Sequence, residues 1–397
     1  MDTHGVNSQP PRVWWWWPNA NDHVHSFAPI WISAQLFGVH TISHDQANYK
    51  PSMWELLSAF GLTALRIYLI HATLTTDSWD LLFKSSSVIV EQGLDILLKL
   101  PLLLMLISPW LQLLRKPIIL TISHDLKVFD EMIESYSYPQ SFQFYHAITT
   151  MISVVCIANP LIILAWIRGF SFWIQHFFVI TFVAASWTGG LLFNSFFNVL
   201  ILHIVGRLES INDILNNILH NETIGSDAPK PLNLIKALMR LHDKLSDISS
   251  NCSSCFCYTV YCEYIVLMML HVMAAQILAV FAVIRVIFYH YDETEFKDCV
   301  LYLIGTSFYC ILPLIAIWFA ADLKKRTIIT WKLVHRIINT TNSAEVEDLL
   351  QQFSEQMSHR TANVDFRFVD GDWSLLVKAC SEVATYLIIM MQFERKQ

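Results

Sequence analysis

The stretch Trp373–Phe393, with the sequence WSLLVKACSEVATYLIIMMQF, decides the fold. An α-helix rises about 1.5 Å per residue, so this stretch is just long enough to cross the hydrocarbon core of a bilayer, which is about 30 Å thick. Its polar residues recur every three or four positions and therefore share one helical stripe. That stripe, with the apolar residue that fills its gap, consists of Ser374, Lys378, Ser381, Thr385, Ile388 and Gln392. A polar stripe in a bilayer must face water or protein, so it indicates either a helix buried in a bundle or a helix that lines a pore.

The composition places the whole chain in a membrane. Hydrophobic residues make up 54% of the chain and charged residues only 15%. The mean hydropathy is +0.43, which is far from that of a soluble domain of this length. The net charge is −7, and the chain has no basic, aromatic-rich stretch, so a nucleic-acid partner is not expected. The lipid bilayer is the first partner that the sequence predicts.

Apolar segments along the chain predict an all-α membrane protein with seven transmembrane helices. The expected spans are Met53–Leu74, Val88–Pro109, Ala147–Ile167, Trp173–His203, Cys262–Tyr289, Cys299–Ala320 and Trp373–Phe393. Charged residues interrupt the first span at Glu55 and Arg66, and the second at Glu91, Asp95 and Lys99. Such residues usually face a bundle interior or a water-filled cavity.

Basic residues set the expected orientation. If the N-terminus is cytosolic, the inner segments hold more than three times as many Lys and Arg residues as the outer segments, as the positive-inside rule requires. The C-terminus is then extracellular. The chain divides into a cytosolic N-terminal segment (1–52), transmembrane helices 1 to 4 (53–203), a cytosolic helical connection (204–261), transmembrane helices 5 and 6 (262–320), a second cytosolic helical connection (321–372), the seventh helix (373–393) and an extracellular tail (394–397).

The two inner connections are expected to be helical. Pro231–Ser250, Leu323–Ile338 and Glu345–Met357 carry apolar residues at helical spacing on one face. Isolated amphipathic helices need a partner surface. They either pack against one another, within and between subunits, as an anchor for an assembly, or lie on the membrane surface.

Catalytic and metal-binding motifs are missing from the sequence. It contains no HExxH, no Gly-rich phosphate loop and no GxSxG, so neither an enzyme nor a cofactor is predicted. Cys252, Cys255, Cys257 and Cys262 cluster at the inner end of the fifth span, but a zinc knuckle needs a second pair of ligands. We interpret them as packed thiols, with juxtamembrane acylation as an alternative. An internal repeat, typical of many transporters, is also missing.

A motif inside the seventh helix carries a family resemblance. Thr385-Tyr386, five apolar residues and Gln392-Phe393 resemble the TYhhhhhQF signature (h, hydrophobic) of the last helix in insect gustatory receptors. The charged tail ERKQ and the upstream residues Phe366, Phe368 and Asp370 also fit the end of that family. The resemblance is specific over this last part of the chain and elsewhere concerns architecture and hydropathy.

The resemblance implies a subunit of a ligand-gated, nonselective cation channel in the plasma membrane of sensory neurons. Such a channel is a homotetramer, or a heteromer with related receptors, and a small tastant opens it. A bitter compound or a sugar is expected, although the main sweet subfamily carries Glu where this chain has Leu387. An odorant-type channel subunit and a G-protein-coupled heptahelical receptor are the alternatives. The implied pore and gate residues are Ser381, Thr385, Ile388, Gln392 and Phe393.

Two further expectations follow from the resemblance. Phe393 would close the pore by dewetting, and Lys378 would oppose cation flux unless it faces a wide inner mouth or pairs with Glu382. The ligand would bind among aromatic and polar side chains in the outer half of the helix bundle. The candidate ligand-binding residues are Glu91, Asp95, Asn159, Trp166, Gln175, Trp187, Tyr302, Thr306 and Tyr309.

Overall fold

The computed structural model describes residues 23–38, 51–75, 87–136, 142–221, 231–256, 264–288, 293–366, 369–370 and 373–394. Within these residues the chain forms ten helices and one two-stranded hairpin. The helices are α1 (His23–Leu36), α2 (Met53–Thr75), α3 (Val88–Glu134), α4 (Phe142–Gln175), α5 (Phe177–Asn221), α6 (Pro231–Phe256), α7 (Tyr264–Phe288), α8 (Glu293–Thr340), α9 (Ala344–His359) and α10 (Trp373–Glu394). The hairpin pairs β1 (Asp365–Phe366) with β2 (Val369–Asp370) in antiparallel register between α9 and α10.

Five of the described helices contain a stretch that is long and apolar enough to cross a membrane. These stretches are Met53–Ala72, Phe142–Ile162, Ile180–His220, His271–Phe288 and Glu295–Thr340, and α10 adds the shorter apolar stretch Cys380–Phe393. The most apolar window of α5 is 78% buried inside the chain, and that of α2 only 17%. Helix α5 is therefore the centre of the bundle, and α2 lies at its edge. The chain is a nearly all-helical membrane protein, as its composition predicted.

Three helices are much longer than the bilayer is thick. Helices α3, α5 and α8 have 47, 45 and 48 residues, which corresponds to about 70 Å each at 1.5 Å per residue.

One boundary differs from the expected spans, because Trp173 belongs to the end of α4 and a turn at His176 precedes α5. The apolar run is continuous through this point, so hydropathy alone does not mark the break.

The main hydrophobic core lies between the long helices and the two amphipathic helices α6 and α9. Helix α6 buries Ile235, Leu238, Leu241, Leu245 and Ile248. Helix α9 buries Val346, Leu349, Leu350, Phe353 and Met357. These are the apolar faces that the spacing predicted, and they share one cluster with buried residues of α5 and α8. Protein from the same chain therefore covers the amphipathic faces.

Helix α1 packs into the bundle against α4 and α5. Phe27 and Ile30 are buried in the main core. The Thr149 hydroxyl of α4 donates a hydrogen bond to the Ser26 carbonyl over 2.7 Å. The sequence reading assigned this region to the N-terminal segment 1–52 and did not predict a helix there.

Arg66 of α2 holds the C-terminal end of α1. Its guanidinium donates to the carbonyl oxygens of Phe37 at 3.2 Å and Gly38 at 2.7 Å, and also to the carbonyl of Met105 in α3. A cation at the last carbonyls of a helix is favourable because it meets the negative end of the helix dipole. Gly38 has a φ of 65°, the left-handed conformation in which glycine commonly ends a helix. Arg66 thus joins three helices at the middle of the first expected span.

A buried ion pair joins α2 to α3. The Lys116 ammonium lies 3.0 and 2.8 Å from the two carboxylate oxygens of Glu55, and the two side chains are only 1% and 4% exposed. Glu55 also accepts from the Ser52 N–H over 2.7 Å, while its own N–H donates to the Ser52 hydroxyl. This reciprocal pair is a capping box that starts α2. The acidic residue that interrupts the first span is therefore both a helix cap and an interhelical contact.

A second buried ionic contact centres on Arg207 of α5. Its guanidinium donates to both carboxylate oxygens of Asp130 in α3, at 2.9 and 2.6 Å. It also reaches His203 Nδ1 at 3.1 Å, so the other ring nitrogen, Nε2, carries the proton and donates to the Ser26 hydroxyl. The His203 ring lies between Phe27 and Tyr145, with ring centroids 4.3 Å away on each side. This contact ties α1, α3, α4 and α5 together.

Candidate functional site

Helix α10 presents two chemically different faces. Leu387, Met390 and Met391 pack against a buried cluster of α7 and α8 that includes Phe281 and Tyr302. The implied pore and gate residues Ser381, Thr385, Ile388, Gln392 and Phe393 are all exposed on this isolated chain. Ile388 and Phe393 are 58% and 60% exposed. The helix is therefore held by one apolar face, and the implied pore and gate residues lie on its exposed surface, where water or another chain can contact them.

Lys378 and Glu382 are both exposed on α10. Among the residues that the structure describes, no ion pair joins these two side chains. The Thr385 hydroxyl donates to the Ser381 carbonyl over 3.0 Å, so one stripe hydroxyl is already satisfied within its own helix. The Lys378 and Glu382 side chains are both accessible to solvent.

The predicted ligand-binding residues separate into three groups. Trp187 of α5 and Tyr309 of α8 meet edge to face, with ring centroids 5.6 Å apart. Tyr302 packs instead toward α7 and α10, and the Thr306 hydroxyl bonds to the Tyr302 carbonyl of its own helix over 3.1 Å. Glu91 and Gln175 are exposed. The side chains of Asp95 and Trp166 lie outside the described part of the structure.

The Trp187–Tyr309 contact has polar neighbours on α4. Tyr309 lies within electrostatic range of Cys156, whose sulfur is 3.3 Å from the Ser195 hydroxyl of α5. Asn159 follows Cys156 by one helical turn and is partly buried. We call the contact between Trp187 of α5 and Tyr309 of α8 the aromatic site. An aromatic wall with a few polar groups suits a small organic molecule.

The described residues include no group of three or more His, Cys, Asp or Glu that could hold a metal ion. Cys252 and Cys255 are buried free thiols in α6, and Cys257 and Cys262 lie outside the described side chains. Burial raises the pKa of Cys255 to about 12, so this thiol stays protonated at neutral pH. A protonated, buried thiol is consistent with the interpretation of Cys255 as a packing group.

Sequence reasoning missed the contacts made by α1 and Arg66. Phe27, Ile30, Trp31 and Ala34 follow helical spacing, which was the available signal for a packed helix. The partners of Arg66 include backbone carbonyls, and these leave no mark in a sequence. An arginine inside a span indicated an interior partner without identifying it.

Comparisons with known proteins give a family match, a partly matching relative and a solved structure with a similar fold. A family described as 7tm Chemosensory receptor matches residues 27–397. Gustatory receptor 28b of Drosophila melanogaster is 39% identical over 95 residues, which cover 22% of this chain and 20% of that protein. The match thus spans about a fifth of that relative's length. The structure of the insect olfactory receptor OR5 from Machilis hrabei in complex with eugenol covers 94% of this chain and 100% of its own, with a TM-score of 0.55 and 14% sequence identity. That likeness shows a shared fold.

Proposed function

This chain belongs to the 7tm chemosensory receptor family, and on that premise we propose that it is a subunit of a ligand-gated, nonselective cation channel opened by a small tastant. A chemosensory receptor is not an enzyme. The observation that carries the channel proposal is the exposed polar stripe of α10, in which Thr385, Ile388 and Gln392 lie on the face opposite Leu387 and Met390. A membrane helix with such a stripe needs an aqueous pore or another chain beside it.

The proposed assembly places α10 of each subunit around a central axis, in a homotetramer or in a heteromer with related receptors. Gln392 and Phe393 then form the outer constriction, and Ile388, Thr385 and Ser381 line the pore further in. The extended α8, with α9, provides the surface for contact between subunits on the cytosolic side. The proposed location is the plasma membrane of sensory neurons, which is where a receptor for external tastants acts.

The aromatic site is the proposed centre of ligand binding. Its two rings come from α5 and α8, so a ligand there would contact α8, whose Tyr302 packs in the cluster that holds α10, and Asn159 of α4 stays a further candidate. Binding would shift α8 and draw the outer end of α10 away from the axis, which opens the gate. The other predicted residues, Glu91, Asp95, Trp166, Gln175 and Thr306, stay candidates for the rim of the site. The solved relative binds the small molecule eugenol, which supports a small organic ligand.

The decisive test is whole-cell recording from a heterologous cell that expresses this chain alone, with G-protein signalling blocked. Bitter compounds, sugars and volatile aromatics are applied in turn. A rapid, ligand-evoked, nonselective cation current is the expected result. A response that disappears under the block supports a G-protein-coupled receptor, and a current evoked by volatile compounds alone supports an odorant-type subunit, as the likeness to an olfactory receptor would favour.

The proposed orientation, with the N-terminus cytosolic, predicts that the sequons at Asn221, Asn251 and Asn339 carry no glycan. All three lie in inner connections, where oligosaccharyltransferase does not reach. The measurement is the gel mobility of the expressed chain before and after treatment with an endoglycosidase. Asp292→Asn is the matched control, because it creates a sequon with Glu293 and Thr294 in a predicted outer loop and should add a glycan. A glycan on the unmodified chain would reverse the topology.

A further inference from the structure

Two charged side chains lie on α10, inside the last expected span. Lys378 and Glu382 are both exposed, and neither forms an ion pair or a hydrogen bond with another residue that the structure describes. An unpaired charge that faces hydrocarbon is costly, so charged residues of membrane helices face water or another protein surface. These two side chains therefore indicate which side of α10 meets water or a second subunit.

Lys378 lies on the face of α10 that points away from the rest of the subunit. It precedes Leu387 by nine residues, which is about 2.5 turns of an α-helix, so the two side chains lie on opposite faces. Leu387, with Met390 and Met391, packs against the buried cluster of α7 and α8. Thr385 follows Lys378 by about two turns and shares its stripe. Lys378 therefore faces the same side as the stripe that the proposed pore exposes to water.

Glu382 does not neutralise Lys378. A pair four residues apart on a helix is more favourable when the acidic residue comes first, and here the lysine comes first. The two positions are about 40° apart in rotation around the helix and about 6 Å apart along its axis. With the proposed orientation, Lys378 lies on the cytosolic side of Glu382. The helix thus carries a positive charge nearer the cytosol and a negative charge nearer the outside.

We propose that Lys378 and Glu382 form two rings of opposite charge in the inner half of the pore, and that these rings make inward cation current larger than outward current. A cation that enters from the cytosol meets the Lys378 ring first and is repelled. A cation that enters from outside meets the Glu382 ring first and is attracted. Rings of charged side chains set which ions a pore conducts. This inference rests on the proposed function, since it assigns the rectification of the proposed pore.

The first test measures rectification in the Phe393→Ala background, which should conduct without a ligand, with the same KCl solution on both sides of the membrane. Inward current should be larger than outward current at equal and opposite voltages. Lys378→Met should lower the inward-to-outward ratio by about two- to fivefold, because a ring of unit charges changes the local cation concentration by about that factor at physiological salt. Exchanging the charges, by Lys378→Glu with Glu382→Lys, should invert the ratio. Lys127→Met removes an exposed lysine from α3 and should leave the ratio unchanged.

The second test needs no current and measures the electrostatic potential at the stripe. Ser381→Cys places a thiol on the stripe, three residues beyond Lys378, and Cys380→Ser removes a native exposed thiol. The rates of modification by an anionic and a cationic methanethiosulfonate reagent are compared in opened membranes that contain the full-length chain. Lys378→Met should lower the anionic-to-cationic rate ratio by about tenfold. Ala384→Cys is the control, because Ala384 is exposed away from the stripe, and its ratio should change by less than about twofold.

The two tests contradict the inference by different results. An unchanged current ratio in Lys378→Met and in the charge exchange would show that these side chains do not face the conducted ions. A rate ratio at Ser381→Cys that changes by less than about threefold would show one lysine near the thiol and no ring.

The channel and the charged rings can also fail separately. A tenfold change in the rate ratio without any current would contradict the channel and support the Lys378 ring. A normal current with unchanged ratios in both tests would support the channel and overturn the rings.

Discussion

Lys116→Met should nearly abolish delivery of the receptor to the cell surface. The substitution conserves length and removes the ammonium that lies 2.8 Å from Glu55, so a carboxylate that is 4% exposed loses both of its bonds to that nitrogen. Breaking a buried pair from one side typically costs about 3–5 kcal/mol, which is a large part of the roughly 5–15 kcal/mol by which a native domain is stable. Surface biotinylation and the Tm of the detergent-purified chain are the measurements.

Two variants separate this effect from the loss of a lysine as such. Lys127→Met makes the same change on the same helix, at a pair with Glu131 whose side chains are 53% and 63% exposed, and should alter stability by less than about 1 kcal/mol. Adding Glu55→Leu to Lys116→Met removes the stranded carboxylate and should recover much of the surface signal. Normal surface delivery of Lys116→Met alone would show that the buried pair contributes little.

Phe393→Ala should raise the current that flows without ligand by about tenfold or more. A dewetted gate stays closed because its wall is apolar, and truncating Phe to Ala removes about 1.5–3 kcal/mol of apolar transfer free energy per side chain. A change of about 1.4 kcal/mol alters an equilibrium constant tenfold. The contribution of a single subunit is therefore enough to raise the open fraction of the gate about tenfold. The measurement is basal whole-cell current normalised to surface protein.

The position of Phe393 makes this substitution easy to interpret. Its side chain is 60% exposed in the isolated chain, so the change creates no cavity inside the subunit and folding should be unaffected. Val377→Ala is the control, because Val377 lies on the same helix more than four turns from Phe393 and is also exposed. If Phe393→Ala reaches the surface normally and neither raises basal current nor weakens ligand dependence, Phe393 is not the gate.

Helix periodicity predicted the parts of the fold in which one face is apolar. The spacing of Leu238, Leu241 and Leu245 indicated the buried face of α6, because a helix with a solvated side shows its core as a stripe. Spans that are apolar all round show no such stripe. For them, sequence indicates that a helix crosses the membrane and leaves its rotation and neighbours open.

For the candidate site, too, sequence indicated the helices but not how they are rotated against each other. Trp187 and Tyr309 are 122 positions apart in sequence, and their contact depends on how α5 and α8 are rotated against each other. Both were among the predicted ligand-binding residues because they are aromatic and lie in outer halves of spans. Glu91 and Gln175 were predicted because they are polar and lie in outer halves of spans, and the structure leaves both exposed, since outer position alone does not select a face.

The contacts of α1 also have a consequence for biosynthesis. The Ser26 hydroxyl bonds to His203 across 177 positions of sequence, so its partner does not exist when α1 leaves the ribosome. At about 5–20 residues per second, the ribosome needs roughly 9–35 s to make the intervening chain. Until α4 and then α5 are made, the apolar face of α1, with Phe27 and Ile30, must be shielded by chaperones or by the bilayer surface. Docking of this helix is therefore a late step of assembly, and nascent chains halted before α5 should expose it to proteases.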